Sequence, residues 1–268
     1  MLTDRRALVP LVLVAVALLV VLVAARGAGH ATAMPATGEA AGLTSAAGVS
    51  PPVHRTAHPQ RLLPVVAPPP GDGGYAFDAV GHGRPALWDP CRPIHYVVSG
   101  TQPFAGANQL LAQALSEASA ASGLQFVSDG PTSEAATEQR PAYQPSVYGR
   151  QWAPVLVAWT DAGHIAQLGG PAIGLGGAAT ATVHGTPRLV SGIVYFDAPE
   201  LSLLALRADG YAEMRTVMLH EIGHLLGLGH VADPTAVMYA TNTGQGDYNA
   251  GDRRGLAASG AGPCSRYS

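Results

Sequence analysis

The eleven-residue stretch HEIGHLLGLGH, from His220 to His230, constrains the fold of this 268-residue chain more than any other feature. Residues four apart lie on one face of a helix, so His220 and His224 are expected to point the same way. Gly227 follows where such a helix has to end, because glycine adopts a positive φ at low cost. The pattern therefore predicts a helix, a sharp turn at Gly227 and a return of the chain that brings His230 to the first two histidines.

Three neutral imidazoles around one point, with a fourth position left open, are typical of a catalytic zinc site. We therefore predict His220, His224 and His230 as ligands of one zinc ion. Glu221 is offset by one residue, where its carboxylate can reach a water molecule at this site without binding the metal, which predicts a general base. The alternative is an accidental spacing of surface or core histidines, which the extended pattern disfavours.

The motif continues into ADPTAVMYA, from Ala232 to Ala240, with Met238 eight residues after the third histidine. The whole run resembles the matrixin branch of the metzincin metalloproteases, the family of the matrix metalloproteinases and their short bacterial relatives. The resemblance is most specific from Met214 to the Asp247–Gly255 region, and it extends weakly from about Leu87 to the C-terminus.

This resemblance implies an α+β catalytic domain with a small, mixed, twisted sheet, two main helices and an irregular C-terminal part. It also implies a zinc-dependent endopeptidase in which Met238 forms a hydrophobic floor below the metal without binding it. Val231 and Ala240 stand where matrixins usually carry Ser and often carry Pro, and these positions shape the substrate pocket. The cleavage specificity is therefore not carried over from the family.

The N-terminus carries an uncharged run of nineteen residues, Ala7–Ala25, behind the charged start MLTDRR. As a helix this run spans about 28 Å, close to the hydrocarbon thickness of a bilayer. Its length favours a membrane anchor over residues 1–26, whereas Ala31–Ala33 is an acceptable cleavage site for a signal peptide. Arg5 and Arg6 before the run predict a cytoplasmic N-terminus. Both alternatives, a single-pass membrane protein and a secreted one, place the rest of the chain outside the cytoplasm.

Residues 27–75 are rich in Ala, Gly, Pro, Thr and Ser, show no apolar periodicity and end on APPPGDGG. Such a composition buries too little apolar surface to order itself, so we expect a disordered linker that acts as a stalk. An inhibitory propeptide is the alternative, although the segment contains no cysteine of the kind that caps the zinc in many matrixins. The catalytic domain is predicted to span residues 76–268.

The chain has two cysteines, Cys91 and Cys264. An even pair outside the cytoplasm favours a disulfide, which would staple the two ends of the catalytic domain. In the competing interpretation Cys91 caps the zinc. However, the strand predicted at Ile94–Val98 begins directly after Cys91 and leaves no length for a capping segment.

Between the cysteines, strand patterns and helix patterns alternate. Ala107–Ser122 places its apolar residues on one helical face, and Gly123 is expected to end that helix. The other predicted elements are strands at Leu124–Val127, Pro154–Thr160, Ala178–Val183 and Leu189–Phe196 (the last two paired antiparallel), a polar loop at 130–151, a glycine-rich loop at 169–177, the active-site helix from Tyr211 and a short C-terminal helix at Gly251–Gly260.

A second metal ion, zinc or calcium, is a common structural feature of matrixins. His164 and His184, with Asp161 or Asp197, are the residues available for it here, but the family's His-x-Asp pattern is missing. We therefore expect one catalytic zinc ion and interpret these four as surface residues. Asp252 is expected to cap the C-terminal helix rather than to pair with the mature N-terminus, as an aspartate of that helix does in the family.

The net charge of −3 and the lack of a basic cluster argue against nucleic acid as a partner. The expected partners are a polypeptide substrate, lying along the strand Ala178–Val183, and the membrane through the N-terminal segment; we expect a monomer. Two rival functions use the same ligands: a zinc hydrolase that acts on a non-peptide amide, and a non-catalytic surface module that holds zinc for folding. Glu221 counts against the second, because folding does not need it.

Overall fold

The computed structural model describes residues 58, 60–78, 80–81, 84–183, 185–242 and 244–265, together with the backbone of two short strands further upstream. The predicted anchor Ala7–Ala25 and the residue His184 lie outside this part of the chain. Within the residues that are described, no helix is both long and apolar enough to cross a membrane.

A five-stranded mixed sheet forms the centre of the fold. Its strands are β1 (Ile94–Ser99), β2 (Phe126–Pro131), β3 (Val155–Thr160), β4 (Gly174–Val183) and β5 (Thr186–Asp197), in the spatial order β4-β5-β3-β1-β2. Strands β5, β3, β1 and β2 run parallel, whereas β4 pairs antiparallel with β5 at the edge of the sheet. The predicted antiparallel pair is therefore confirmed.

Five helices accompany the sheet in the described part of the chain: α1 (Ala107–Ser122), α2 (Pro145–Tyr148), α3 (Ala198–Leu204), α4 (Gly210–Leu225) and α5 (Ala250–Gly260), with a 3₁₀ helix at Ala166–Gly169. Helix α1 covers the predicted residues, and its predicted apolar face, from Leu110 to Ala118, is buried. Gly123 ends the helix with a φ of 70°. The predicted α+β class with a small mixed sheet is confirmed.

The main core lies between one face of the sheet and helices α1 and α4. Strand β3 shows the alternation that produces it, because Val155, Val157 and Trp159 pack toward the helices, whereas Leu156 and Ala158 belong to a second cluster on the other face. Every residue of β3 is buried. The apolar run PVLVAWT is therefore a strand covered on both faces, as predicted.

The glycine-rich loop predicted at residues 169–177 is wrong in its second half, because β4 already begins at Gly174. The glycines provide space. A Cβ at Gly174 would lie 2.7 Å from Cγ of Glu221, and one at Gly176 would overlap the backbone of the same residue. Glycine here lets the edge strand approach helix α4 closely instead of forming a turn.

The polar stretch predicted as a loop at residues 130–151 contains a buried ion pair. Arg140 is 1% exposed, and its Nε and Nη2 donate to the two carboxylate oxygens of Glu134 at 2.7 and 2.9 Å. The guanidinium also donates to Ser191 Oγ and to two backbone carbonyls, which ties the stretch to β5 and to the start of β3.

Residues 60–78, here called the N-terminal strap, lie against the catalytic domain. Arg61 donates to Gly260 O and Gly262 O, and the Leu62 N–H donates to Pro90 O. Contacts with the domain therefore begin upstream of the boundary predicted at residue 75. Main-chain hydrogen bonds and arginine donors make these contacts, and Phe77 of the strap packs against the main core.

Four pairs of two-residue strands complete the secondary structure: Thr32–Ala33 with Thr241–Asn242, Leu43–Thr44 with Arg140–Pro141, Ala76–Phe77 with Leu228–Gly229, and Val80–Gly81 with Arg84–Pro85. Two of these pairs place backbone from the predicted linker beside the domain.

Cys91 and Cys264 lie side by side although 173 positions separate them. Their Cα atoms are 5.4 Å apart, and their sulfur atoms are at disulfide distance. Cys91 groups with Cys264 and Asp89, and not with the three histidines. Its position therefore does not match the interpretation in which it caps the zinc.

Replacing Glu134 by Gln should destabilise the fold by about 3 kcal/mol at neutral pH, because Arg140 is left as a buried, unpaired charge. Burial alone would raise the pKa of Glu134, but hydrogen bonds from Arg140, Tyr148 and Gln144 and the charge of Arg140 hold it below its ordinary value of 4.5. The pair therefore stabilises fully above pH 4.5 and loses its contribution as the pH falls through the lowered pKa. Urea unfolding should show a lower free energy of unfolding for the variant than for the wild type at neutral pH, and this difference should become smaller in acid. Glu138, which is exposed in the same stretch, is the control. An equal loss of stability in Glu138→Gln would contradict the stabilising role of the Glu134–Arg140 pair.

Candidate metal centre

Helix α4 places His220 and His224 one turn apart on its buried side, with exposed fractions of 2% and 5%. The helix ends at Leu225, and Gly227 then turns the chain with a φ of 90°. The strand that follows leads directly to His230, so the turn returns the third histidine to the other two. This local path is the one that the sequence predicted.

The three imidazoles converge through their Nε2 atoms. The Nε2 atoms of His220 and His224 lie 3.0 Å apart, and each lies 3.2 Å from Nε2 of His230. A zinc ion with tetrahedral geometry and Zn–N distances of about 2.0–2.1 Å separates its ligand nitrogens by about 3.3 Å. The three histidines therefore fit one zinc ion, and they are the only all-histidine cluster of this kind among the described residues.

Backbone carbonyls orient two of the histidines from behind. Nδ1 of His220 donates to Val237 O at 2.6 Å, and Nδ1 of His224 donates to Leu228 O at 2.8 Å. A proton on Nδ1 leaves the lone pair of Nε2 available to a metal. Nδ1 of His224 also lies 3.1 Å from Oδ2 of Asp78.

The two helical histidines differ in their electrostatic surroundings. Burial lowers the pKa of His220 well below its ordinary value of 6.5. Burial alone would lower the pKa of His224 as well, but the carboxylates of Asp78 and Glu221 outweigh burial and raise it. Because a ligand nitrogen has to be unprotonated, protons compete with a metal ion at this centre.

Glu221 lies between the two helical histidines and is buried. Desolvation raises the pKa of its carboxyl group to about 7. The Gly176 N–H donates to the carboxylate, whereas Oε1 has no hydrogen-bond partner among the described residues. A buried oxygen without a partner costs free energy, and it is available to a water molecule or a substrate at this site.

Met238 and Asp252 support the site from below. Met238 is 1% exposed and packs against Gly223 of α4, where a Cβ would lie 3.1 Å from Cε of the methionine. Asp252, at the start of α5, accepts hydrogen bonds from the N–H groups of Val237 and Met238 at 2.7 and 3.2 Å. It also takes part in the predicted cap of its own helix. Because Val237 O accepts a hydrogen bond from His220, Asp252 also fixes the turn that orients this histidine, in addition to capping its helix.

The residues considered for a second metal ion do not form a group of three possible ligands in the part of the chain that the structure describes. His164 pairs with Asp161 at the surface, with 2.9 Å between Nδ1 and Oδ1. Asp197 accepts the Glu200 N–H and caps α3. His184 lies outside the described residues.

Two contributions to the site are missing from the sequence interpretation. Asp78 reaches His224 from 146 positions upstream, three residues beyond the predicted end of the linker, and no local pattern marks it. Gly174 and Gly176 approach Glu221 from the edge strand. Their spacing was the available signal, because glycines at alternate strand positions mark a face that another backbone approaches.

The sequence model of the peptidase M10 family, described as matrixin, matches residues 95–257, more than half of the chain. No curated protein matches the chain. Among solved structures, the chain is similar to metalloproteinase-II from Bacteroides fragilis, with 18% identity and a TM-score of 0.34, over 63% of this chain and 51% of that one. It is also similar to archaemetzincin from Methanopyrus kandleri, with 14% identity and a TM-score of 0.32, over 60% of this chain and 85% of that one. A third similar structure is the GM1-bound ECX AB5 holotoxin, with 14% identity and a TM-score of 0.31, over 60% of this chain and 68% of that one.

The segment that matches the family contains almost all of the sheet, helices α1 and α4 and the three histidines. The predicted metzincin-like catalytic fold is confirmed over this segment. This chain belongs to the matrixin family of metalloproteases.

Proposed function

We propose that this protein is a zinc-dependent endopeptidase that hydrolyses peptide bonds outside the cytoplasm. One observation carries the proposal. Three imidazole nitrogens converge to within 3.2 Å beside a buried carboxyl group, Glu221, whose Oε1 has no partner among the described residues. Three protein ligands with an open fourth position are typical of catalytic zinc, whereas structural zinc sites are closed by four.

In this proposal His220, His224 and His230 hold the zinc ion through Nε2. When bound, zinc supplies a Lewis acid that polarises a peptide carbonyl and makes a water molecule more acidic. Glu221 accepts a proton from the attacking water at its unpartnered oxygen and donates it to the nitrogen of the leaving amine. Its raised pKa of about 7 suits a group that takes up and releases a proton near neutral pH.

The substrate is proposed to bind along β4, the edge strand of the sheet. Within the five-stranded sheet β4 pairs with β5 alone, and an extended peptide adds to such an edge through main-chain hydrogen bonds. The predicted stretch Ala178–Val183 belongs to this strand. Gly174 and Gly176 bring the beginning of β4 next to Glu221. A peptide paired along β4 therefore leads to the metal centre.

Replacing Glu221 by Gln should remove most peptide hydrolysis and leave the metal centre in place. The amide keeps the size of the side chain but cannot accept the proton, so hydrolysis should fall about 10²- to 10⁴-fold. Zinc content and melting temperature should stay near wild type, because the three histidines are unchanged. Glu138→Gln is the surface control and should leave the rate unchanged. His224→Ala removes a ligand, so it should lose zinc as well as activity.

Digestion of a proteome-derived peptide library supplies the assay for these variants. If Glu221→Gln hydrolyses peptides at the wild-type rate, the assignment of Glu221 as the general base is wrong. Wild-type protein that holds zinc and hydrolyses only a non-peptide amide would favour the rival hydrolase. Zinc held by four protein ligands without any hydrolysis would favour the non-catalytic module.

The location outside the cytoplasm is proposed from the apolar run Ala7–Ala25, which lies outside the described residues. Cells fractionated without detergent should keep the full-length chain in the membrane pellet, detected by an antibody to the C-terminus. Detergent should release it, whereas high salt should not. Protein found mainly in the culture medium, with an N-terminus near Met34, would favour a cleaved signal peptide instead.

A disulfide between Cys91 and Cys264 is proposed from their separation in the fold. Closing so long a loop contributes about 5 kcal/mol in the chain-entropy model. Peptide mapping without reductant should recover the linked pair, and Cys91→Ala, Cys264→Ala and the double variant should lower the melting temperature equally. Two free thiols in the active protein would contradict the bond.

A further inference from the structure

The two helical histidines differ in the groups behind them. Among the described residues, Nδ1 of His220 has one partner, Val237 O. Nδ1 of His224 has two, Leu228 O at 2.8 Å and the carboxylate of Asp78 at 3.1 Å. Asp78 is the last residue of the N-terminal strap, so a segment that precedes the sheet supplies a charged group to the metal centre.

The strap is fastened to the domain before it reaches the site. Near its beginning, Arg61 donates to two backbone carbonyls at the C-terminal end of α5, Gly260 O at 2.8 Å and Gly262 O at 3.2 Å. Further along, Arg254 of α5 donates to Gly73 O at 2.8 Å and to Pro70 O at 2.9 Å. These contacts hold the path of the strap across α5 and deliver its end to the metal centre.

The end of the strap pairs with the turn that joins the second and third histidines. Ala76–Phe77 forms an antiparallel pair with Leu228–Gly229, and the Asp78 N–H donates to Gly227 O at 3.0 Å. Backbone pairing therefore fixes Asp78 relative to His224. Its short side chain, with two torsion angles, leaves little freedom for the carboxylate.

Gly229 supplies an independent observation. Its φ lies outside the left-handed region, so the backbone conformation does not require glycine. A Cβ at this position would approach Oδ1 of Asp78 more closely than the 3.0 Å that real Cβ atoms keep. The missing side chain therefore makes room for the carboxylate.

We propose that Asp78 is a positioning residue for the metal ligand His224, and that the N-terminal strap is thereby part of the metal centre. The proposal rests on the proposed zinc site. By accepting a hydrogen bond from the Nδ1–H group, the carboxylate fixes the tautomer and the plane of the ring and makes Nε2 a stronger electron-pair donor to a metal. Leu228 O still holds the ring when Asp78 is removed, so metal binding should weaken but persist.

Zinc affinity of the full-length protein, measured by competition with a chelator of known affinity, tests this role. Asp78→Asn keeps the size of the side chain and removes its charge, and it should weaken zinc binding about 10- to 100-fold. Asp72→Asn is the matched control, because Asp72 is an exposed residue of the same strap. It should bind zinc as wild type does. Wild-type zinc affinity in Asp78→Asn would overturn the proposal.

A merely structural role gives a different pattern. If Asp78 only fastened the strap, Asp78→Asn would lower the melting temperature of the metal-free protein and leave zinc affinity unchanged, and this result overturns the proposal. If Asp78 positions His224, the metal-free melting temperature stays near wild type and the rise produced by zinc becomes smaller. The visible absorption of the Co²⁺-loaded protein should also change in Asp78→Asn and not in Asp72→Asn.

Gly229→Ala tests the space beside the carboxylate. In the wild-type background the new Cβ should displace Asp78 and weaken zinc binding. In an Asp78→Ala background, Gly229→Ala should lower the zinc affinity much less, because the carboxylate oxygen that the new Cβ displaces is absent. Equal losses of zinc affinity in both backgrounds would show that Gly229 does not act by making room for the Asp78 carboxylate.

These readouts do not depend on hydrolysis. A wild-type protein that binds zinc and cleaves no peptide overturns the proposed function, and the Asp78 comparison still decides the positioning role. A wild-type protein that binds no zinc overturns both. Unchanged zinc affinity in Asp78→Asn, with active wild-type enzyme, overturns the positioning role alone.

Discussion

The strongest constraint on this fold is that three imidazole nitrogens lie within 3.2 Å of one another. Neutral nitrogens whose lone pairs point at one another repel, so the rings keep this arrangement only if groups behind them hold each ring. Val237 O and Leu228 O do this for His220 and His224. Both carbonyls belong to segments that follow α4, so the path of the chain after the helix, and not the helix alone, builds the metal centre.

A second demand is space around helix α4. Glycines stand where backbone or buried side chains come closest to it, namely Gly174 and Gly176 beside Glu221, Gly192 beside Leu225, and Gly223 beside Met238. A methyl group at these positions would enter space that is already filled, and overpacking of this kind costs about 1–3 kcal/mol. Gly174 and Gly176, which make the sequence resemble a loop, therefore allow the edge strand β4 to pack closely against helix α4.

The same distinction explains how much of the molecule the sequence predicts. The residues of α1 follow from one apolar face and Gly123, and the convergence of the three histidines follows from spacings within eleven residues, because these determinants are local. Arg140 donates to residues up to 52 positions away, and Asp78 lies 146 positions from His224. No local pattern encodes such contacts. For the same reason the docking of the strap could not be predicted from the sequence. Its hydrogen-bond partners include main-chain carbonyls and Arg254 of α5, which the composition of the strap does not reveal.

The polar groups behind the converging histidines connect both ends of the catalytic domain to the candidate metal centre. Asp252 in α5 holds the Val237 N–H, and Val237 O holds His220. On the other side Asp78 reaches His224, and the strap that carries Asp78 is fastened by Arg254 of the same helix. Each carboxylate gives up part of its hydration, and its hydrogen bonds offset that cost only while both ends are in place. Loosening either end would therefore disturb the orientation of a histidine at the proposed zinc site, even when no histidine is changed. By the same linkage, a metal ion bound at the proposed zinc site would favour the state in which the strap and α5 are both docked, so metal binding and the docking of these two segments would stabilise each other.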